Sequence, residues 1–231
     1  MITKRSLNDV MRTTAIILGA LGDFLLTLPL LRALHREGPV NFIMRGSYRA
    51  LLPSGMASSL VLDLDGAEAA ALFSATGDLS ERLLALLSGS VVQAFMRPDE
   101  LVSRNLLGHG KALRVVWHDP RPVAPPHIVK RFFHQAGLPC GADVLDQPVM
   151  SRAAAGAADA LWLHAGSGSS AKTLCPDRLA DLAERHGRAL GHRIIVSFGE
   201  ADLGLLDPIR NAFGRRELAF SEVICPSLGD L

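Results

Sequence analysis

Thr14-Ala15-Ile16-Ile17-Leu18-Gly19-Ala20-Leu21-Gly22-Asp23 is the stretch that decides the fold. Its first part is a short apolar run closed by Gly19, the pattern of a central strand covered on both faces. A helix follows, because Leu25, Leu26, Leu30, Leu31 and Leu34 keep an i, i+4 type stripe as far as His35-Arg36-Glu37, where Gly38 supplies a stop. The same residues, Thr13 to Leu34 after the basic Lys4, Arg5 and Arg12, are apolar enough to raise a membrane span or a signal peptide. Asp23 sits in the middle of the run, and a carboxylate at bilayer depth costs roughly 2.5 to 3.5 kcal/mol on insertion scales. With Gly19, Gly22 and Pro29 also inside it, the run reads as a buried strand and a helix.

The same unit recurs outward from it. Residues 40–44, 60–63, 91–95 and 113–117 read as strands, and helical stretches fall near 47–52, 79–87, 99–107 and 126–137. Strands alternating with helices imply a mostly parallel sheet. Pro139, Gly141, Pro148 and the small-residue run Ala153 to Ala158 mark 138–158 as a linker and put a domain boundary near residue 150. Beyond it the alternation restarts with a strand at 161–165, a helix from Pro176 through Leu190, a strand at 193–198, a helix near 203–213 and a short strand at 218–220. Domains 1–150 and 151–231 are therefore expected, and three strands with two helices make the second about half of a doubly wound domain of ordinary size. A sheet left at that size exposes an edge, which predicts a marginal second domain or self-association.

The bulk numbers narrow the function classes. In 231 residues, 48% are hydrophobic and 20% charged, the balance of a folded chain able to bury two small cores. Lys and Arg total 24 against 23 acidic residues, so no global field steers the chain to nucleic acid and any anion site is local. Cys140, Cys175 and Cys225 are far apart and form no CxxC pair, which argues against a disulfide framework or a structural zinc site and for a reducing compartment. The eight histidines form neither HxxxH nor HExxH, so metal ligation has little support.

Three constellations can carry chemistry. Gly19-Ala20-Leu21-Gly22-Asp23 lies at a strand-to-helix turn, where open α/β sheets place their ligands. It is not the dinucleotide fingerprint. Asp23 suits either a helix cap or a base that takes a proton from an attacking hydroxyl. Gly166-Ser167-Gly168-Ser169-Ser170-Ala171-Lys172-Thr173 also ends a strand, and its small residues let backbone N–H groups approach a phosphate, with Lys172 adding charge. It misses the P-loop GxxxxGK pattern at Ala171, leaving a nucleotide hydrolase or an ordinary turn with a solvated lysine as other readings. Gly199-Glu200-Ala201-Asp202 follows the next strand and offers carboxylates to ribose hydroxyls, or is a solvated loop. His164 is the one histidine placed near these turns.

Taken together and in this order, the motifs resemble glycosyltransferase family 9, the ADP-heptose:lipopolysaccharide heptosyltransferases, over nearly the whole chain. Leu21-Gly22-Asp23-Phe24-Leu25-Leu26-Thr27-Leu28-Pro29-Leu30-Leu31-Arg32-Ala33-Leu34 is similar to the family's strand, Gly-Asp and helix opening with its TLP continuation. His127 through Pro139 is similar to the helix that closes the family's first domain and ends in LGLP. His164-Ala165-Gly166-Ser167-Gly168, Lys172 and Pro176 resemble its HPGSG, Lys and Trp-Pro segment. Thr173-Leu174-Cys175 stands where the family has its tryptophan, and the family's later Asp, Ser or Thr, Gly, x, x, His loop has no counterpart before Leu231.

The resemblance implies an α/β, GT-B-like fold of two Rossmann-like domains, the second incomplete. The first would bind the acceptor and the second the nucleotide-sugar, with reaction in the cleft between them. It implies inverting, metal-independent transfer, with no cofactor, of a heptose or related sugar from an ADP-sugar to a lipopolysaccharide-core or lipid-linked acceptor. The chain would be cytoplasmic, touching the inner face of the inner membrane peripherally. By residue matching, Asp23 would be the general base, Gly22 part of the acceptor-side loop, and Ser167, Gly168, Ser169 and Lys172 the holders of the donor pyrophosphate. Glu200 or Asp202 would reach the ribose. A catalytically inactive remnant or binding module of the same family is the other expectation.

Overall fold

The computed structural model describes residues 12–121, 125–145, 160–166 and 172–225. The chain divides into two compact units, Met1–Ser151 and Arg152–Leu231.

The first unit is built on a five-stranded, wholly parallel sheet, β1 (Thr13–Ile17), β2 (Val40–Met44), β3 (Val61–Asp63), β4 (Val91–Phe95) and β5 (Arg114–Trp117), in the order β3-β2-β1-β4-β5. Every residue of β1, β2 and β4 is buried, including the polar Thr13, Thr14, Asn41 and Gln93, as their mostly apolar runs require of strands covered on both faces. The helices are α1 (Leu21–Glu37), α2 (Ala67–Ala70), α3 (Glu81–Leu87), α4 (Glu100–Arg104) and α5 (Ile128–Ala136). One face of the sheet packs Ile16, Ile43, Val92 and Ala94 against Leu72, Leu83, Leu87, Val102 and Leu106. Helix α1 buries Phe24, Leu28, Leu30, Leu31 and Leu34 and packs on α5, which buries Val129, Phe132 and Phe133. Each such side chain stabilises the unit by about 1.5 to 3 kcal/mol.

The chain leaves β1 toward β2 on one side and later returns to β4 on the other. The strand order therefore reverses at β1, and the crevice outside the carboxyl ends of β1 and β4 is where a doubly wound sheet takes its ligand. Residues 13–34, read above as strand and helix, are β1 and most of α1. Among the described residues no helix is long and apolar enough to cross a membrane.

The second unit has a three-stranded parallel sheet, β6 (Ala160–His164), β7 (Arg193–Phe198) and β8 (Ser221–Ile224), in that order, with α6 (Pro176–Leu182) and α7 (Leu206–Gly214). Its core joins Val196 and Phe198 of β7 to Leu179, Ala180, Ile209 and Phe213 of the two helices. Several details differ from the sequence expectation. The last strand is 221–224 rather than 218–220, because Leu218 and Phe220, after α7, turn to the core: Leu218 is buried and Phe220 packs on Phe213 with ring centroids 4.6 Å apart. The helix after Pro176 is α-helical only to Leu182 and widens into a π-helical stretch over Ala183–Arg188, with Gly187 pressed on β7 where a Cβ would come within 2.6 Å of Ile194 Cγ1. The stretches at 46–51 and 105–109 are likewise a tight helical turn and a π-helical turn rather than α-helix.

Candidate functional site

At the carboxyl end of β1 the chain makes a short turn through Leu18 and Gly19, and Ala20, in extended conformation, caps α1. Asp23 is thus not the cap residue itself but the third residue of the helix, and it reaches back so that the Ala20 N–H donates to its Oδ2 at 3.2 Å. This is the carboxylate half of a capping box. The folded-back side chain lies over Gly19, where a Cβ would stand 2.7 Å from Asp23 Oδ2. Any side chain there would push the carboxylate away. Tyr48 leans on Phe24, ring centroids 5.0 Å apart, and its hydroxyl donates to the Gly19 carbonyl at 3.4 Å, which steadies the turn from the other side.

Asp23 is half-buried and borders a cavity of about 10 Å³ whose other walls include Ile17, Leu26, Phe95, Pro120, Ile128 and Phe132. That is room for one oxygen-sized group. The cavity's exposed lining is apolar, and the Asp23 carboxylate, turned back to the Ala20 N–H, stands at its edge. Gly22, one residue earlier, is exposed, and nothing lies within 4 Å of the place its Cβ would take.

Two groups stand behind and beside this cavity. His118 is fully buried, with Nε2 2.7 Å from Gln93 Oε1 and Nδ1 3.1 Å from Gln135 Oε1. Its ring stacks on Phe95 at 4.6 Å and meets Phe132 edge-on at 5.4 Å, so it supports two cavity walls. Burial lowers the imidazole pKa to about 4, and the Gln135 hydrogen bond offsets this only in part. A neutral ring carries one N–H, so one of the two glutamines must turn its amide nitrogen toward it. Beside the cavity, Asp119 is clamped by the Arg121 guanidinium and held well below the usual carboxylate range by those hydrogen bonds, with Arg97 adding a smaller attraction. Arg131 donates to the Asp119 and Arg121 carbonyls, both at 3.2 Å.

In the second unit, Ser167, Gly168 and Ser169 lie outside the described residues. Lys172 is exposed just before α6, and the backbone of Glu200 opens the helical turn Glu200–Leu205. Asp202 is buried rather than solvated. Its Oδ2 accepts the Gly199 N–H at 3.2 Å and stands 3.5 Å from His164 Nε2, and its carboxylate takes the place that a side chain on Gly166 would need. His164 Nδ1 lies 3.0 Å from Ser197 Oγ, which in turn accepts the Trp162 indole N–H at 2.9 Å. A connected polar chain, Trp162, Ser197, His164 and Asp202, thus ties the carboxyl ends of β6 and β7 together and brings two of the singled-out residues into contact.

The sequence motifs missed His118, Gln93, Asp119 and Arg121. A signal for the first pair was present, since Gln93 stands at the centre of the otherwise apolar Val91–Phe95, and a buried amide in a central strand requires a partner. Among the described residues no three His, Cys, Asp or Glu side chains gather as a metal site.

No family model matches the sequence, and no curated protein matches it. Among solved structures, the chain is similar to the crystal structure of the glycosyl transferase family 9 protein from Veillonella parvula DSM 2008. The TM-score is 0.65 with 16% identity, over 96% of this chain and 71% of that one. At that identity the likeness shows the fold, which is α/β and GT-B-like, with Rossmann-type parallel sheets.

Proposed function

We propose that the chain is an inverting, metal-independent glycosyltransferase that moves a heptose or related sugar from an ADP-sugar to a lipopolysaccharide-core or lipid-linked acceptor at the cytoplasmic membrane face. The observation that carries the reading is the position of Asp23, a half-buried carboxylate at the switch point of the first sheet, on the edge of an oxygen-sized apolar cavity. In this reading the acceptor hydroxyl enters the cavity and gives its proton to Asp23 as its oxygen attacks the anomeric carbon. The bond to the diphosphate breaks with its electron pair on the departing phosphate oxygen, and attack from the opposite face inverts the centre.

Other features support the reading. Glycine in a helix costs about 1 kcal/mol relative to alanine, yet nothing in the fold occupies the space beside Gly22, as expected if that space is kept for the acceptor. Arg97 and Arg121 act on a single carboxylate, Asp119, and Arg131 donates to the Asp119 and Arg121 carbonyls beside Pro120 of the cavity wall, an excess of positive charge suited to an acidic acceptor. On the donor side the reading gives the pyrophosphate to Ser167, Gly168, Ser169 and Lys172, with Lys172 offsetting the charge that builds on departing ADP. Asp202 already serves Gly199 and His164, so the ribose falls to Glu200 and Asp202 steadies the turn beneath it.

The test is titration calorimetry with ADP in a chelator, followed by transfer assays over a panel of ADP-sugars. Magnesium-independent ADP binding is expected, with turnover that falls 10²–10⁴-fold in Asp23→Asn while ADP affinity holds. Unchanged turnover in Asp23→Asn would remove Asp23 from the mechanism. ADP binding without any transfer would favour an inactive binding module.

A further inference from the structure

A second cavity lies in the first unit, an open groove of about 610 Å³ lined by Trp117 at the end of β5 and by residues of the loop after β4 and of α4. We propose that this groove is a saccharide subsite that takes a neutral sugar ring. Its role as part of the acceptor site rests on the transferase reading above, but its chemistry does not.

The lining is mostly apolar. Trp117, Pro98 and Leu107 face the groove, and Leu107 remains 46% exposed beside Leu106, which is fully buried. The π-helical turn Asn105–His109 puts these adjacent leucines to opposite uses. The wall is pinned. Asn105 is buried and its amide donates to the Leu72 and Ser74 carbonyls, both at 2.9 Å, while Asp99 caps α4 through the Val102 N–H at 2.9 Å. Arg104 reaches the Ala75 carbonyl at 3.4 Å.

Glu100, Ser103 and Arg104 also line the groove. A sugar ring offers C–H groups on its face and hydroxyls around its edge, which match an aromatic platform ringed by planar hydrogen-bonding groups. Two carboxylates against one guanidinium leave the rim acidic, which disfavours a phosphate or a uronate and selects a neutral ring. The end of β4 and the loop after it supply Phe95 to the Asp23 cavity and Pro98 to the groove, and the end of β5 and the chain after it supply Pro120 to the cavity and Trp117 to the groove. One pair of chain segments thus serves both places.

Saturation-transfer-difference NMR on the full chain tests this, with methyl glycosides of several hexoses as probes and sorbitol as control. Saturable transfer to glycoside ring protons is expected, with affinity falling about tenfold or more in Trp117→Ala and in the exposed-site variant Glu100→Gln, and retained in Trp117→Phe. Sorbitol has the hydroxyls without a ring face and is expected to give none. Equal transfer to sorbitol, no saturable transfer from any glycoside, or binding unchanged in both Trp117→Ala and Glu100→Gln would overturn the proposal. The two readings fail separately. Turnover with an acceptor KM unmoved in Trp117→Ala and Glu100→Gln would sink the groove and leave the transferase. Glycoside binding that maps to Trp117 in a chain that transfers nothing would do the reverse.

Discussion

The carboxylate of Asp202 fills the space that a side chain on Gly166 would need. The first unit repeats the relationship, with Asp23 folded over Gly19. In each unit the glycine follows the first strand of the sheet, and the carboxylate belongs to the third residue of a helical turn, reaching back to a backbone N–H at 3.2 Å. In neither case does a positive φ explain the glycine. Its smallness does.

This makes Gly166→Ala a packing mutation. Forcing a methyl group against a buried carboxylate is expected to cost roughly 1–3 kcal/mol. Asp202→Ala alone leaves the Gly199 N–H without its acceptor and costs about 1 kcal/mol. Combined, the two changes are expected to destabilise by less than their sum, by about 1 kcal/mol or more, because the second removes what the first collides with. Urea unfolding followed through Trp162 in a Trp117→Phe background measures the cycle, and strict additivity would show that the two residues do not share this space.

Asp23 has two separable duties. As a capping carboxylate it satisfies the Ala20 N–H, which an asparagine at the same place can also do. Asp23→Asn is therefore expected to change stability by under about 0.5 kcal/mol, and Asp23→Ala to lose about 1 kcal/mol. Both should suppress transfer alike, since neither side chain accepts a proton. Thermal unfolding beside turnover separates the duties. Equal stability of the two variants would mean that the hydrogen bond to Ala20 contributes nothing.

Lys172 is exposed, so its replacement should leave the fold untouched. If it meets the donor diphosphate, Lys172→Ala is expected to weaken ADP binding about tenfold, with the loss shrinking at high salt as the attraction is screened. An ADP affinity identical to that of the parent chain would take Lys172 out of the donor site.

The sequence made the central strands legible because β1, β2 and β4 are mostly apolar runs, broken only by single polar residues such as Asn41 and Gln93 or opened by Thr13 and Thr14, and it made the first turn legible because Gly19 and Asp23 follow one of them. It misplaced β8 for a physical reason. Leu218 and Phe220 look like a strand but are core plugs, whereas Ser221–Ile224 is a half-exposed edge strand whose Glu222 bonds Arg210 at 2.7 Å and shows no apolar pattern. The inward turn of Asp202 was not legible either, because its partners His164 and Gly166 are far from it in sequence and meet it only when β6 pairs with β7.

His118 yields a prediction whose sign follows from its burial. The unfolded imidazole titrates near 6.5 and the native one at about 4, so between those values the unfolded chain binds a proton that the native chain refuses. The contribution of the neutral ring is complete above pH 6.5 and is lost as pH falls toward 4, by about 1.4 kcal/mol per unit and about 3 kcal/mol in all. Asp119 adds to the loss only near the lower end of this window, where the unfolded carboxylate, with an ordinary value of 3.8, begins to take up a proton that the Arg121-clamped native one refuses, and it does so equally in both chains. His118→Gln keeps a polar partner for Gln93 but cannot titrate. Its stability at neutral pH is expected to be lower than that of the parent chain, yet its urea midpoint should fall less steeply between pH 6.5 and 4. Parallel pH profiles for the two chains would mean that His118 takes up its proton in the folded state as readily as in the unfolded one, and that the Phe95 and Phe132 walls tolerate a charged ring behind them.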